Sequence, residues 1–409
     1  MTRPDPRPAL ALTPVFGQER YEFLDVLRGF ALFGIISANM ILYSLYLALP
    51  DSAKVTMSTH ATDKVLDFLE LTFIEGKFYT IFSVLFGIGF SILLTRAQAR
   101  SAGFYPFFLR RMFFLFLIGA AHAVFFFHDD ILESYALCGV LLLPFIKVQN
   151  RTLIVAALLA LVAGAVIKFT GAIPRDSFTG PRELLFQHYG FTRATRVEIW
   201  SQGSLFDVLR LNIASWFSQV DYVISSGMIF KIYGSFLLGF YLGRNEIHKK
   251  LEQYRPTIRR VALLGLVLGL PLNLIYAATF AADDSWVRNL SEPLAILPLS
   301  AGYASLLCLL WLGHRRDWLL RVFAPVGRMA LTNYVGQSVI CALIFYGPGL
   351  GLGGTIGPTL YLPIGLAVYL LQIAFSRFWL DRFQFGPLEW LWRMLTYGRS
   401  FPLTKRATA

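Results

Sequence analysis

The chain has 409 residues, of which 56% are apolar and only 15% charged, with a formal net charge of +12. Apolar runs of roughly 20 residues recur throughout, which excludes an ordinary soluble globular protein. Nucleic acid is excluded as a partner too, because Arg and Lys gather between apolar runs, where they fix membrane orientation.

Taken in order, residues 1–22 are polar, rich in Pro and Arg, and lack the basic, apolar, small-residue succession of a cleavable signal, so they read as a cytoplasmic tail. The first five spans fill 24–168, at 24–49, 66–94, 107–127, 131–146 and 153–168. A stretch at 169–221, broken by Pro174, Gly180 and Pro181, reads as an extracytoplasmic loop with short interfacial helices, fit to lie over a cavity. The last five spans fill 222–380, at 222–242, 261–280, 293–312, 322–346 and 359–378. Residues 381–409 form an amphipathic cytoplasmic tail, Trp-rich at 388–395. The sequence therefore predicts an all-α, polytopic transmembrane helix bundle of about ten spans plus interfacial amphipathic helices, in a single integral membrane domain.

Basic residues sort by loop. Arg96, Arg100, Arg110 and Arg111 follow the second span, Lys147 and Arg151 the fourth, a cluster from Arg244 to Arg260 the sixth, and Arg315, Arg316 and Arg321 the eighth. The alternate connections are poor in Arg and Lys, so both termini are expected to be cytoplasmic.

The stretch 119–139, GAAHAVFFFHDDILESYALCG, sets His122, His128, Asp129, Asp130 and Glu133 into an apolar background. Ionisable groups at such depth need partners or a wet cavity, and His122, well inside the apolar run, must find its partner within the protein. Asp129 and Glu133 have a bland alternative as markers of the water interface. Asp25 and Arg28, three residues apart at the mouth of the first span, read either as an interfacial ion pair or as a site for a phosphate or carboxylate. Asn39, Glu75, Lys77 and Asn333 are candidate substrate-binding residues inside or beside spans, with interhelical hydrogen bonding as the alternative for Asn39. Cys138, Cys308 and Cys341 lie in apolar segments without metal or redox spacing, and no metal is expected.

Five stretches, LDVLRGFALFGIISANM, GKFYTIFSVLFGIGF, HAVFFFHDDILESYALCG, GRMALTNYVGQ and GPLEWLWRMLT, together resemble the YeiB-like family of bacterial inner-membrane proteins, long carried as a domain of unknown function. The family's His and acidic residue map to His122 and Asp130, and its RMALTNY motif to Arg328 through Tyr334. More distantly, Arg28-Gly29-x-Ala31 is similar to membrane acyltransferases of the acyltransferase-3 and heparan-glucosaminide N-acetyltransferase types. That resemblance implies an acyl-coenzyme A donor on the cytoplasmic side, held by Asp25, Arg28 and Arg328, and a small-molecule or glycan acceptor on the other side. The acyltransferase-3 type has a His where this chain has Asn39. The heparan-glucosaminide type takes its His from the following loop, which here offers His60 at a different spacing.

Transfer of an acyl group to a hydroxyl or amine needs a base, and neutral His suits that task. His122, oriented by Asp130, is therefore one candidate base and His60 the other. A transporter of a small solute or a proton-coupled permease is the competing class, with the same intramembrane groups and Lys231 as relay or binding residues. Membrane lipid is a partner in either case, and the sequence leaves a homo-oligomer open.

Overall fold

The computed structural model describes residues 21–100, 103–192, 194–280, 286–313 and 317–405. The tail expected at 1–22 falls almost wholly outside these residues, as do Arg315, Arg316 and residues 406–409.

Among the described residues eighteen α-helices follow one another: α1 (Glu22–Tyr43), α2 (Asp51–Val55), α3 (His60–Phe73), α4 (Lys77–Ala99), α5 (Phe104–Phe125), α6 (Leu132–Val140), α7 (Asn150–Thr170), α8 (Gly180–Tyr189), α9 (Arg196–Gln202), α10 (Leu205–Ser225), α11 (Met228–Arg244), α12 (Arg255–Thr279), α13 (Trp286–Leu312), α14 (Asp317–Leu320), α15 (Ala324–Arg328), α16 (Ala330–Phe345), α17 (Pro358–Arg382) and α18 (Pro387–Tyr397). Among the described residues there is no β-strand, only an isolated bridge between Phe383 and Thr404. The all-α polytopic bundle read from the sequence is thus the observed architecture. Seven described spans are long and apolar enough to cross a membrane, or eight if α10 and α11, bent by 63° at their junction, count as one.

The expected fourth and ninth spans are the short ones. α6 has nine residues and continues as a 3-10 turn over Leu143–Lys147, while α16 has 16 residues. Two other boundaries differ from expectation. The expected second span is divided at Gly76, whose φ of +81° only glycine adopts readily, and its polar first third is a separate helix, α3. The expected loop at 169–221 contains most of a 21-residue helix, α10, started by a capping box between Ser204 and Asp207. The break comes at Gly227, at φ +70°, where the chain turns against the backbone of Gly164 on α7.

Lipid offers no hydrophobic force to hold helices together, so contact depends on close backbone approach and buried hydrogen bonds. Gly87 on α4 faces Gly239 on α11, and Gly265 on α12 faces Gly302 on α13, each so close that a side chain could not intervene. The most consequential contact joins α1 to α15. Gly29 abuts the carbonyl of Phe323, and Gly327 abuts the backbone of Asp25 and Gly29. Two of the recurrent motifs, LDVLRGF and GRMALTNY, therefore meet backbone to backbone. A third joins them: the Glu389 carboxylate on α18 accepts hydrogen bonds from the Leu331 and Thr332 amides and the Thr332 hydroxyl, which satisfies the orphan donors at the start of α16. Away from these seams the helices turn large apolar side chains outward, among them Leu158, Leu159 and Val162 on α7 and Leu263, Leu264, Val267 and Leu268 on α12. Such continuous apolar faces belong against lipid.

Close approach at these glycines makes a graded expectation. Replacing Gly327 or Gly29 by Ala should destabilise the purified protein by about 1–3 kcal/mol, the usual cost of overpacking. Gly89, where a methyl group meets nothing within 4 Å, should accept Ala with unchanged or raised stability. Thermal unfolding in detergent measures both, and equal melting temperatures for all three variants would contradict this account of the α1–α15 seam.

Candidate functional site

His122 lies on the last turn of α5, in a helix that turns back at Phe126 and Phe127, whose amides both donate to the His122 carbonyl. The chain then re-enters as α6, with Asp130 just before its first turn. One Asp130 oxygen, Oδ2, accepts the Leu132 amide at 2.8 Å and the Glu133 amide at 3.3 Å, so the start of a nine-residue helix holds the carboxylate in place. The other, Oδ1, lies 2.9 Å from His122 Nδ1 and accepts the Tyr334 hydroxyl at 3.1 Å. Both partners are buried, with His122 2% and Asp130 3% exposed. Gly119, one turn before His122, leaves the room: a Cβ there would fall 2.8 Å from Asp130 Oδ2 and 3.0 Å from the Glu133 amide.

The tautomer follows from these contacts. An anionic carboxylate beside Nδ1 requires a proton on that nitrogen, and in the neutral ring the lone pair then lies on Nε2. Nε2 is buried and has no hydrogen-bond partner among the described residues. Glu133 is fixed nearby by the Trp216 indole, which donates to Oε2, while its Oε1 has no such partner. His128 takes a different part: its ring stacks on Trp200, centroids 4.8 Å apart, and Nε2 lies 3.3 Å from Asp129. Burial in that stack holds the His128 imidazole below its ordinary range, with Asp129 opposing the shift. Among the described residues no group of three or more His, Cys, Asp or Glu side chains is placed to hold a metal ion.

At the opposite end of the bundle, Arg28 donates to Asp25 at 2.7 Å, and both line a cavity of about 190 Å³. Arg96 from the end of α4, Arg111 from α5, and Arg393 and Tyr397 from α18 complete its polar wall, and Leu24, Ile92 and Leu93 its apolar wall. Among the described residues that line it are four guanidinium groups, a donor set of the kind that suits phosphate. Arg328 ends α15 beside the Gly327 contact and is not among the residues lining this cavity.

The remaining expected site residues are distributed. His60 opens α3, the helix on which Asp63 accepts the Thr59 hydroxyl and the amide and hydroxyl of Thr359; its Nδ1 is buried without a hydrogen-bond partner among the described residues. Glu75 and Lys77 belong to a buried cluster with Lys168, Lys231 and Glu292. Asn333 spends its side-chain amide on the Val326 carbonyl and the Ser376 hydroxyl, which ties α16 to α15 and α17. Asn39 stands half-buried on α1, one turn before Tyr43. Sequence reading passed over Tyr334 as a partner of Asp130, the three further arginines of the cavity, and Glu292; an acid just before an apolar run bounded at Pro293 was the available signal for the last.

Residues 242–399 match the family described as "Protein of unknown function (DUF418)". Over 413 residues the chain is 32% identical to an uncharacterized protein, YxaH, of Bacillus subtilis, covering 97% of this chain and 99% of the relative. It is 31% identical to an uncharacterized 39.9 kDa protein encoded in an amylase 3′ region of Bacillus acidopullulyticus, covering 97% and 100%. Similarity to the uncharacterized protein YeiB of Escherichia coli is 29% over 95% of this chain and 100% of that one. No solved structure matches at a significant level.

Since Gly119 makes the space for the His122–Asp130 pair, Gly119→Val should push the carboxylate off the imidazole and destabilise the protein by about 1–3 kcal/mol. Tyr334→Phe removes one hydrogen bond and should cost about 1.5–3 kcal/mol, because that bond goes to a charged group. Chemical or thermal unfolding of the two variants, side by side with the wild type, checks both costs; a Gly119→Val protein as stable as the wild type would show that α5 and α6 are not held this tightly.

Proposed function

We propose a function from one premise, that the chain belongs to the YeiB-like family of multi-pass bacterial membrane proteins: it is an acyltransferase that takes an acyl group from a coenzyme A thioester on the cytoplasmic side and delivers it to a hydroxyl or amine at the outer side. The observation that carries this reading is the buried His122–Asp130 pair, with Nδ1 engaged and Nε2 without a protein partner. An imidazole so arranged is a general base. Its Nε2 takes the acceptor proton as the acceptor oxygen or nitrogen attacks the thioester carbon. The carbon–sulfur bond then breaks, and the departing thiolate receives that proton, giving an ester or amide and free coenzyme A. No nucleophilic Ser or Cys motif is needed for such direct transfer.

The arginine cavity supports the donor half of the reading. Its guanidinium groups suit the phosphates of the donor, and Arg28 with Asp25 gives it a fixed edge. Arg28 and Tyr43 share one helix and lie about 22 Å apart along its axis, at about 1.5 Å per residue. The Tyr43 ring packs on Phe127, next to the His122 turn, with centroids 4.3 Å apart. The two polar sites are thus separated by most of the thickness of a hydrocarbon core, a separation that transfer across the membrane requires.

Transport of a small solute is the second reading, favoured by the 63° break between α10 and α11 with Lys231 just past it. Transporters place binding groups at such interrupted helices. Turnover separates the classes. With purified protein and an acyl-coenzyme A, release of free thiol should fall about 10²- to 10⁴-fold in His122→Ala, the usual contribution of a general base, and less in Asp130→Asn. Full thiol release in the His122 variant, with loss in His60→Ala instead, would move the base to α3. Solute uptake into vesicles with no thiol release by any variant would favour the transporter.

For orientation, the basic connections after α4, α11 and α13 are placed on the cytoplasmic side. With α10 and α11 taken together as one crossing, the eight crossings return the chain to its starting side, as the ten read from the sequence do. Reporter fusions in the α11–α12 connection near Lys250 and at the C-terminus should both report cytoplasm; a periplasmic signal at either would reverse the donor and acceptor faces.

A further inference from the structure

A second polar cluster lies in the bundle on the His122 side, among α4, α7, α11 and α13. Lys168 Nζ is 3.1 Å from Glu292 Oε2, and Lys231 Nζ is 3.8 Å from Glu292 Oε1. Lys77, wholly buried, donates to the Leu71 carbonyl at 2.6 Å and lies 5.9 Å from the centre of the Tyr276 ring. Glu75 interacts with all three lysines and with Glu292. Arg288, one turn before Glu292, adds its charge from the same helix and donates to the Phe280 carbonyl at 3.2 Å. The cluster reaches the His122 region through Tyr79, whose ring carries Lys231 at 5.1 Å and whose carbonyl accepts the Tyr135 hydroxyl of α6.

Charge decides what such a cluster does. Among the described residues Lys168 and Lys231 both lie within 4 Å of a single carboxylate, Glu292, with Glu75 and Lys77 as a further pair beside them, so the contact carries more cations than carboxylates. An excess positive charge at membrane depth is costly unless an anion completes it. Lys231 sits at 3.8 Å from its carboxylate, beyond a good hydrogen bond, and so retains donors to offer. We propose that this cluster, through Lys231 and Lys168 against Glu292, binds a small solute bearing a carboxylate or phosphate group. Beside the His122–Asp130 pair, that makes the acceptor or the transported solute an anion. The substrate class rests on the reading that this face admits a small molecule; binding itself needs no turnover.

Full-length protein in lipid nanodiscs, titrated at fixed ionic strength with sodium acetate, inorganic phosphate and neutral acetamide, tests the assignment by calorimetry and thermal shift. Acetate or phosphate should bind saturably and acetamide should not, and the two anion arms separate a carboxylate-bearing solute from a phosphorylated one. Lys231→Gln and Lys168→Gln should each weaken binding roughly tenfold or more, because each removes a charge from a desolvated site. Glu292→Gln should tighten it, which keeps the test decisive if a lysine variant fails to fold. Binding that survives both lysine substitutions belongs to the arginine cavity and overturns the proposal, as does an unchanged affinity in Glu292→Gln. Anion binding of the expected pattern in a protein with no thiol release would leave this site standing and remove the transferase reading alone.

Discussion

The structure depends on one constraint: inside a membrane a polar group needs a partner, from the protein or from a ligand that enters it. His122 meets it through Asp130, Asp130 through Tyr334 and two backbone amides, and those amides through the start of α6. The chain of dependence reaches further, because Tyr334 belongs to α16, whose own first amides are satisfied by Glu389 from the C-terminal amphipathic helix. A side chain more than 250 residues downstream of His122 therefore helps to fix the helix that orients the imidazole's partner. Residues of three distant motifs are thereby joined in one continuous set of polar contacts.

Glycines do the complementary work. Where α1 meets α15, Gly29 and Gly327 let backbones touch, and this contact brings the RGF and RMALTNY motifs together. The arginine beside each of these glycines then plays a different part: Arg28 pairs with Asp25 at the cavity edge, whereas Arg328 is not among the residues that line the cavity. The cavity instead recruits Arg96, Arg111 and Arg393 from elements far apart in the chain. A cavity assembled in this way is tied through α18 to the start of α16, since the same helix supplies Arg393 to the cavity and Glu389 to α16.

What could be read from the sequence divides along physical lines. The helical, membrane-spanning class was legible because apolar runs of spanning length leave no alternative to helix or barrel. His122 and Asp130 were legible because they interrupt such a run eight residues apart, close enough for one turn to join them. Span limits were less so: the break at Gly227 depends on the approach of Gly164, a tertiary contact that no local pattern announces. Asn333, expected near substrate, is engaged in holding three helices together, a role that looks identical in sequence. The arginine cavity and the lysine cluster were invisible as sites because their members come from separate helices, although each residue taken alone was in plain view.

The central claim is that His122 stands as a neutral imidazole with its proton on Nδ1 and a free lone pair on Nε2. Solid-state NMR of the protein in bilayers, with ¹⁵N-labelled histidine and a His122→Gln sample to assign the resonance, measures this without any substrate. The account predicts a protonated Nδ1 hydrogen-bonded to a carboxylate and an unprotonated Nε2 at neutral pH. An Nε2–H tautomer, or an imidazolium protonated on both nitrogens, would contradict it.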